Sequence, residues 1–254
     1  MKKLLLFFIV SATFIACKDN QHRKNTGIIQ QNLKGKVQTL TEITINLDSS
    51  GNAKSDSTFK ISEFTTDGYI TTVTSKDSSG KIIQIQTLVL NADGTMKEMN
   101  KSKEGKQISR FTAEVDKSGN YTSGKNYDST NNQDSYLADL KTNEYGIVYS
   151  GKEYFMNGKI KNTWDAKYEG PNFVGFTATD SLGKTSQGAV KLNEKGDAIK
   201  ENYSYYEKDS LVAKNYTYKY DSYDDKGNWT LRSTYDEKEK KESIVKRVFT
   251  YYKD

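Results

Sequence analysis

From Val37 to Leu47 the chain alternates. Val37, Thr39, Ile43, Ile45 and Leu47 fall on one face, and Gln38, Glu42, Thr44 and Asn46 on the other. A period of two residues is the mark of a strand with one face against a core. The beat persists to the end of the chain, where Trp229, Leu231, Ser233 and Tyr235 share a face. Helical signals are thin beyond the first 16 residues: alanines are few and no long run keeps a 3.6-residue period.

The breaks between these segments have a common chemistry. Ten of the 18 glycines have Asp or Asn three residues earlier, where chance would give about three. The clearest cases are Asp48–Gly51, Asp77–Gly80, Asn91–Gly94, Asp116–Gly119, Asn143–Gly146, Asp180–Gly183, Asn193–Gly196 and Asp224–Gly227. An Asp or Asn that opens a type I turn caps its backbone, and a glycine at the fourth position takes positive φ as a bulge. Successive glycines of this set lie near multiples of 13 to 14 residues apart, and weaker turns such as Asn157-Gly158 and Gly170-Pro171 fill the skipped beats. The pattern predicts an all-β fold over residues 33–254. It would be an antiparallel meander of about 15 strands built from hairpin repeats, forming a curved single-layer sheet or a partly closed barrel or sandwich.

The start of the chain reads differently. Lys2 and Lys3 precede an apolar run from Leu4 to Ile15, and Ala16 is the small residue at a cut site. Twelve residues rise about 18 Å as a helix, too short for a bilayer core of about 30 Å, so residues 1–16 read as a signal peptide. Phe14-Ile15-Ala16-Cys17 resembles the lipobox of bacterial lipoproteins, with Phe14 departing from the family's usual Leu. The resemblance implies lipid on the Cys17 thiol and a membrane as partner. Lys18, rather than Asp, follows the cysteine. In the enterobacterial sorting rule of that family this implies the outer membrane, facing the periplasm or the cell surface. Residues 17–32 read as the lipidated cysteine and a flexible tether.

Composition narrows the function. Removing Lys2 and Lys3 with the signal lowers the formal charge from +5 to +3, and only Arg23, Arg110, Arg232 and Arg247 are Arg. That is no footprint for nucleic acid, which favours Arg. Mean hydropathy is −0.82, so the strands lack the apolar belt of a transmembrane barrel. Cys17 is the only cysteine and His22, within the tether, the only histidine. Triads built on His or Cys, and zinc sites, therefore have no materials. No phosphate loop is present, and no cofactor or metal is expected. Asp221, Asp224 and Asp225 crowd one turn and read as turn caps, with calcium as the alternative. Acidic residues leave a carboxylate-based hydrolase open as a minor reading.

Two further resemblances concern the repeats. Tyr223-Asp224-Asp225-Lys226-Gly227-Asn228, echoed by Lys219-Tyr220-Asp221 and Tyr235-Asp236, resembles the YD repeat of Rhs-type proteins over about the last 35 residues. Gly151-Lys152-Glu153-Tyr154-Phe155-Met156-Asn157-Gly158-Lys159 resembles a MORN-type hairpin over about 20. Both imply a curved hairpin-repeat sheet, and the families are often linked to sugar binding. Ten of the 18 tyrosines follow residue 200. Tyr216, Tyr218, Tyr220, Trp229 and Tyr235 are the candidate ligand-binding residues, either as a stacking platform or as cross-strand packing. The sequence thus reads as a non-catalytic envelope lipoprotein that binds a glycan or a protein. The alternatives are an envelope immunity or inhibitor protein, suggested by the MORN-like hairpin, and the carboxylate-based polysaccharide enzyme.

Overall fold

A computed structural model describes residues 26–207 and 209–253. Cys17, His22 and the whole signal segment lie outside them. Sixteen antiparallel strands follow one another as a meander, and the last pairs with the first, so the sheet closes into a barrel. Closure goes beyond the open or partly closed sheet expected above. Its physical advantage is that no edge strand keeps unpaired backbone groups. The seam joins β1 (Val37–Asn46) to β16 (Lys241–Tyr251) in a ladder from Val37–Tyr251 to Asn46–Ser243.

The hairpins turn as the glycine spacing predicts. At Asp77 the backbone accepts from Gly80 at 3.0 Å, while the side chain accepts from the backbone N–H of Ser79 at 2.9 Å and of Lys81 at 3.0 Å. Gly80 sits at φ +84°. Asp116, Asp180 and Asp224 repeat this arrangement. In two turns no glycine fills the left-handed position: Asn131, in a turn expected from Asn131-Asn132, closes the one begun by Asp128, and Glu239 closes the one begun by Asp236, which the sequence reading missed.

One end of the barrel is closed. Residues 26–36, expected to belong largely to a flexible tether, instead cross the mouth and are pinned on both sides. Ile28 donates its N–H to Gly68 at 3.2 Å, in the turn between β2 (Thr58–Phe64) and β3 (Ile70–Lys76). Nearly half the ring away, Asn32 donates to the Lys195 carbonyl at 2.8 Å and to Asp197 at 2.9 Å, ahead of β13 (Ala198–Glu207). Lys34 and Asn228 exchange two hydrogen bonds at 2.7 and 3.0 Å, beside the turn from β14 (Ser210–Tyr223) to β15 (Trp229–Tyr235). Leu33 then packs with Val37, Leu40 and Phe64. A segment that spans the ring can touch only inward side chains, so this cluster fixes which face is the inside.

Paired residues share a face, and the inside can be followed strand by strand. Leu40, Glu42 and Thr44 face in with Phe249, Arg247 and Val245. The odd face of β1, with Ile43 and Ile45, therefore points out, the reverse of a simple apolar-inside reading. Val37 escapes this only because the register shifts between it and Thr39. Likewise a register shift beside Tyr223 turns Trp229 inward, against Arg247, while Leu231, Ser233 and Tyr235 stay outside. A second apolar cluster of Met96, Phe111 and Tyr121 lines the inside from β4 (Ile82–Leu90) to β8 (Gln133–Thr142). Inward rings lie over strand glycines, Phe111 on Gly124 and Trp164 on Gly151, where an added Cβ would meet the ring at 2.5 and 2.6 Å. Sixteen strands enclose far more space than side chains can fill. The molecule is a cup, with its apolar packing gathered towards the closed end.

Candidate functional site

The inner wall from β13 to β1 carries the densest set of aromatic and charged side chains. On β13, Glu201, Tyr203 and Tyr205 face in; on β14, Tyr216, Tyr218 and Tyr220 do. The rings form a run. Tyr203 lies 5.8 Å from Tyr205 and 5.9 Å from Tyr216, and Tyr220 lies 5.6 Å from Trp229. Trp229 is 5% exposed and forms the floor of this run, whereas Tyr216, Tyr218 and Tyr220 are half-buried. Of the five residues singled out in the sequence, three therefore share a wall and a fourth lies at its foot. Tyr235 does not join them: it is on the outer face, where the ammonium groups of Lys219 and Lys241 lie 4.7 and 5.8 Å from its ring.

Charge is arranged around these rings. Tyr218 donates its hydroxyl to Glu201, and Tyr220 donates to the Ala198 carbonyl at 2.7 Å. Burial, reinforced by the Glu201 charge and hydrogen bond, pushes the Tyr218 phenol well above its ordinary range. Burial also raises Tyr203, Tyr216 and Tyr220. Arg232 lies 4.5 Å from the Tyr218 ring and 4.9 Å from Trp229. Its Nε is enclosed with no hydrogen-bond partner, and among the described residues no carboxylate lies within ion-pair distance of it. Arg247, 3.6 Å from the Trp229 ring, is different: it donates twice to Glu42, at 3.1 and 3.0 Å. Burial disfavours the Glu42 carboxylate, but Arg247 and then Lys60 outweigh it, and its pKa is lowered. Neither Arg232 nor Glu201 could be placed from the sequence. The two-residue alternation of Lys219-Tyr220 and Arg232-Ser233 was the available signal, and register shifts in the β14–β15 pair obscured it.

A second inner cluster joins β7 (Tyr121–Tyr127) to β10 (Ile160–Glu169). Glu153 accepts from Ser135 at 2.6 Å, Lys161 at 2.9 Å, Asn162 at 2.8 Å and Asn126 at 3.2 Å. Burial opposes its charge, yet these donors hold its pKa below the ordinary value. Every oxygen is occupied, so the cluster ties four strands together. On the outer face a trough of about 730 Å³ runs over β8–β11, where positive φ at Asp139 bends the sheet. It is framed by the Lys152–Asp139 pair at 2.9 Å and by threonines.

Of the three crowded aspartates, Asp224 caps the turn, while Asp221 bonds across the strand pair. Asp224 accepts from the backbone N–H groups of Lys226 and Asn228 and from the Tyr251 hydroxyl, and Asp221 accepts from Ser233 at 3.0 Å. Among the described residues no group of three or more His, Cys, Asp or Glu is placed to hold a metal.

Among solved structures, the fold is similar to a porin-like protein from Bacteroides uniformis at TM-score 0.54 and 11% identity, covering 85% of this chain and 98% of that one. A porin-like protein from Bacteroides vulgatus aligns over 85% of this chain and 98% of its own at 13% identity and TM-score 0.36. No family model and no curated protein matches the chain. The first likeness shows the fold: an antiparallel β-barrel. The outer face gives it a different surface from a membrane pore. Lys125, Lys152, Lys167, Lys191, Lys200 and Lys219 all point outward between β7 and β14, so no apolar band encircles the barrel.

Proposed function

We propose that the chain is a lipid-anchored protein of the outer membrane that works as a non-catalytic binding module. The ligand is a saccharide held inside the cup. The observation that carries this reading is the inward run of Tyr203, Tyr216 and Tyr218 with Glu201 and Arg232 set among the rings. A pyranose presents an apolar C–H face and a rim of hydroxyls. Tyrosine rings stack on the first at low entropic cost, and a carboxylate and a guanidinium bond the second. The closed end makes the cup a chamber with one mouth. Two other inner carboxylates disfavour catalysis: Glu42 and Glu153 have pKa values lowered by their partners, the wrong direction for a general acid.

Titration calorimetry with cello-, chito- and laminari-hexaose against the full chain tests this. Binding of one series is expected, weakened at least tenfold by Tyr218→Ala and left unchanged by Tyr235→Ala on the outer face. Equal losses from both substitutions, or binding that survives Tyr216→Ala combined with Tyr218→Ala, would overturn the assignment to this wall. Wild-type silence towards all three series would remove saccharide as the ligand class.

A further inference from the structure

The outer surface has one flank unlike the rest. Val248, Thr41, Ile61, Thr74 and Ile85 are direct partners across β16, β1, β2, β3 and β4, and all point outward. Five strands at ordinary spacing make this uncharged row about 20 Å wide. Val248 is 56% exposed and Ile83, lower on the same flank, 37%. Contiguous exposed apolar surface of this kind marks a contact with lipid or protein.

Two observations choose between them. The first is where the chain enters. Thr26 and Ile28 pack on Gly68, in the turn that joins β2 to β3, the strands beside the centre of the row. Cys17 precedes Thr26 by nine residues (26 less 17), which reach at most about 30 Å when extended. A lipid on Cys17 therefore keeps Thr26, and with it the β2–β3 turn at the head of this flank, within about that distance of the bilayer. The second is composition. The outward positions of these strands hold aliphatics, Phe59 and threonines, with Glu63, Lys76, Lys241 and Lys246 among them, and no Trp, Tyr, Arg or Met. Protein interfaces are enriched in those four residue types. Apolar contact flanked by three lysines against one carboxylate suits an interface of acyl chains and anionic headgroups.

We infer that the flank of β16, β1, β2, β3 and β4 rests on the membrane that carries the lipid anchor, so that the barrel lies on its side. The inference rests on the lipid-anchor reading and adds a contact that the anchor alone does not require. Its test uses the full chain reconstituted on phosphatidylethanolamine–phosphatidylglycerol vesicles. Val248→Cys and Ala189→Cys, the latter exposed on the opposite flank, each carry an environment-sensitive fluorophore. Brominated acyl chains are expected to quench the label at 248 several-fold more than the label at 189. Equal quenching, or none at 248, overturns the inference. So does thiol cross-linking between 248 positions in detergent, which would assign the flank to a second copy. The anchor is scored separately. Maleimide labelling of the wild-type chain would mean that Cys17 is free, which defeats the anchor reading while the two quenching values still score the flank.

Discussion

The two ends of the barrel are made from the same hairpin turns but carry different loads. At the closed end turn glycines meet neighbours, although Gly227 does not: Gly68 lies against Ile28 and Thr26, Gly94 against the Tyr69 ring, and Gly196 against Asn32. At the open end Gly51, Gly80, Gly105, Gly158 and Gly183 have nothing within 4 Å of the position of a Cβ. The buried side chains Leu33, Val37, Phe64, Met96, Tyr121 and Ile147 all lie at or near the closed end. One end thus supplies the packing and the other the opening. A wide barrel cannot fill its own interior, so stability must come from the ladder and from whatever closes it. Here residues 26–36 do so.

The largest effect should follow from removing packing at the closed end. Leu40 is fully buried against Leu33, Val37 and Phe64. Leu40→Ala should cost about 2–5 kcal/mol, as buried leucines do. Val212, half-buried near the open end, should cost under about 1.5 kcal/mol when changed to Ala. Denaturant midpoints measure both. Equal losses would mean that the open end is packed too.

Acid should come next. The Glu42 carboxylate has a lowered pKa in the fold, so its contribution is present above the unfolded value of about 4.3 and is lost as pH falls through the folded value. Melting temperature should drop on acidification in the wild type. Glu42→Gln should flatten that part of the profile, and an unchanged profile would detach the Arg247 pair from stability.

Two glycines give a cleaner contrast between the ends. Gly94 and Gly183 share φ +77°, so Ala at either meets the same backbone strain, about 1–2 kcal/mol. Only at Gly94 would the Cβ also meet a ring, 2.5 Å from the Tyr69 Cζ. Gly94→Ala should therefore be the more destabilising by about 1–3 kcal/mol, the usual cost of overpacking. Similar values would show that Tyr69 yields freely.

How much of this was legible beforehand divides along physical lines. Turns are local, and Asp or Asn three residues before Gly marks them because the capping side chain and the positive-φ residue are both in the turn. Strand count followed to within one, 16 against about 15. Which face is inside is not local. Ile43 and Ile45 looked like core and face out, because a sixteen-stranded ring needs little apolar lining away from its closed end. Trp229 and Tyr235 share one face by their spacing in the sequence, and a register shift parts them. The closing segment at residues 26–36 was invisible for a similar reason: it is polar, and its partners Asp197 and Asn228 lie far along the chain.

The smallest expected effect is spectroscopic and bears on the wall inside the cup. Tyr203, Tyr216, Tyr218 and Tyr220 all have raised pKa values, chiefly through burial, and Tyr168 on β10 is pushed up to about 12 by burial alone. A tyrosine with a raised pKa in the fold contributes stability that is full below the unfolded value of about 10. That contribution is lost as pH rises through the folded value. Phenolate absorbance of the folded chain should therefore rise in two phases, the later one coinciding with alkaline unfolding. Glu201 adds to the Tyr218 shift both by charge and by accepting its hydroxyl, so Glu201→Gln should move part of the late phase to lower pH. Tyr168 shares no such partner and should stay in the late phase, serving as the internal control. If Glu201→Gln leaves the titration unchanged, the Tyr218–Glu201 contact is not holding in solution. The wall would then lose the carboxylate that sets it apart from ordinary aromatic packing.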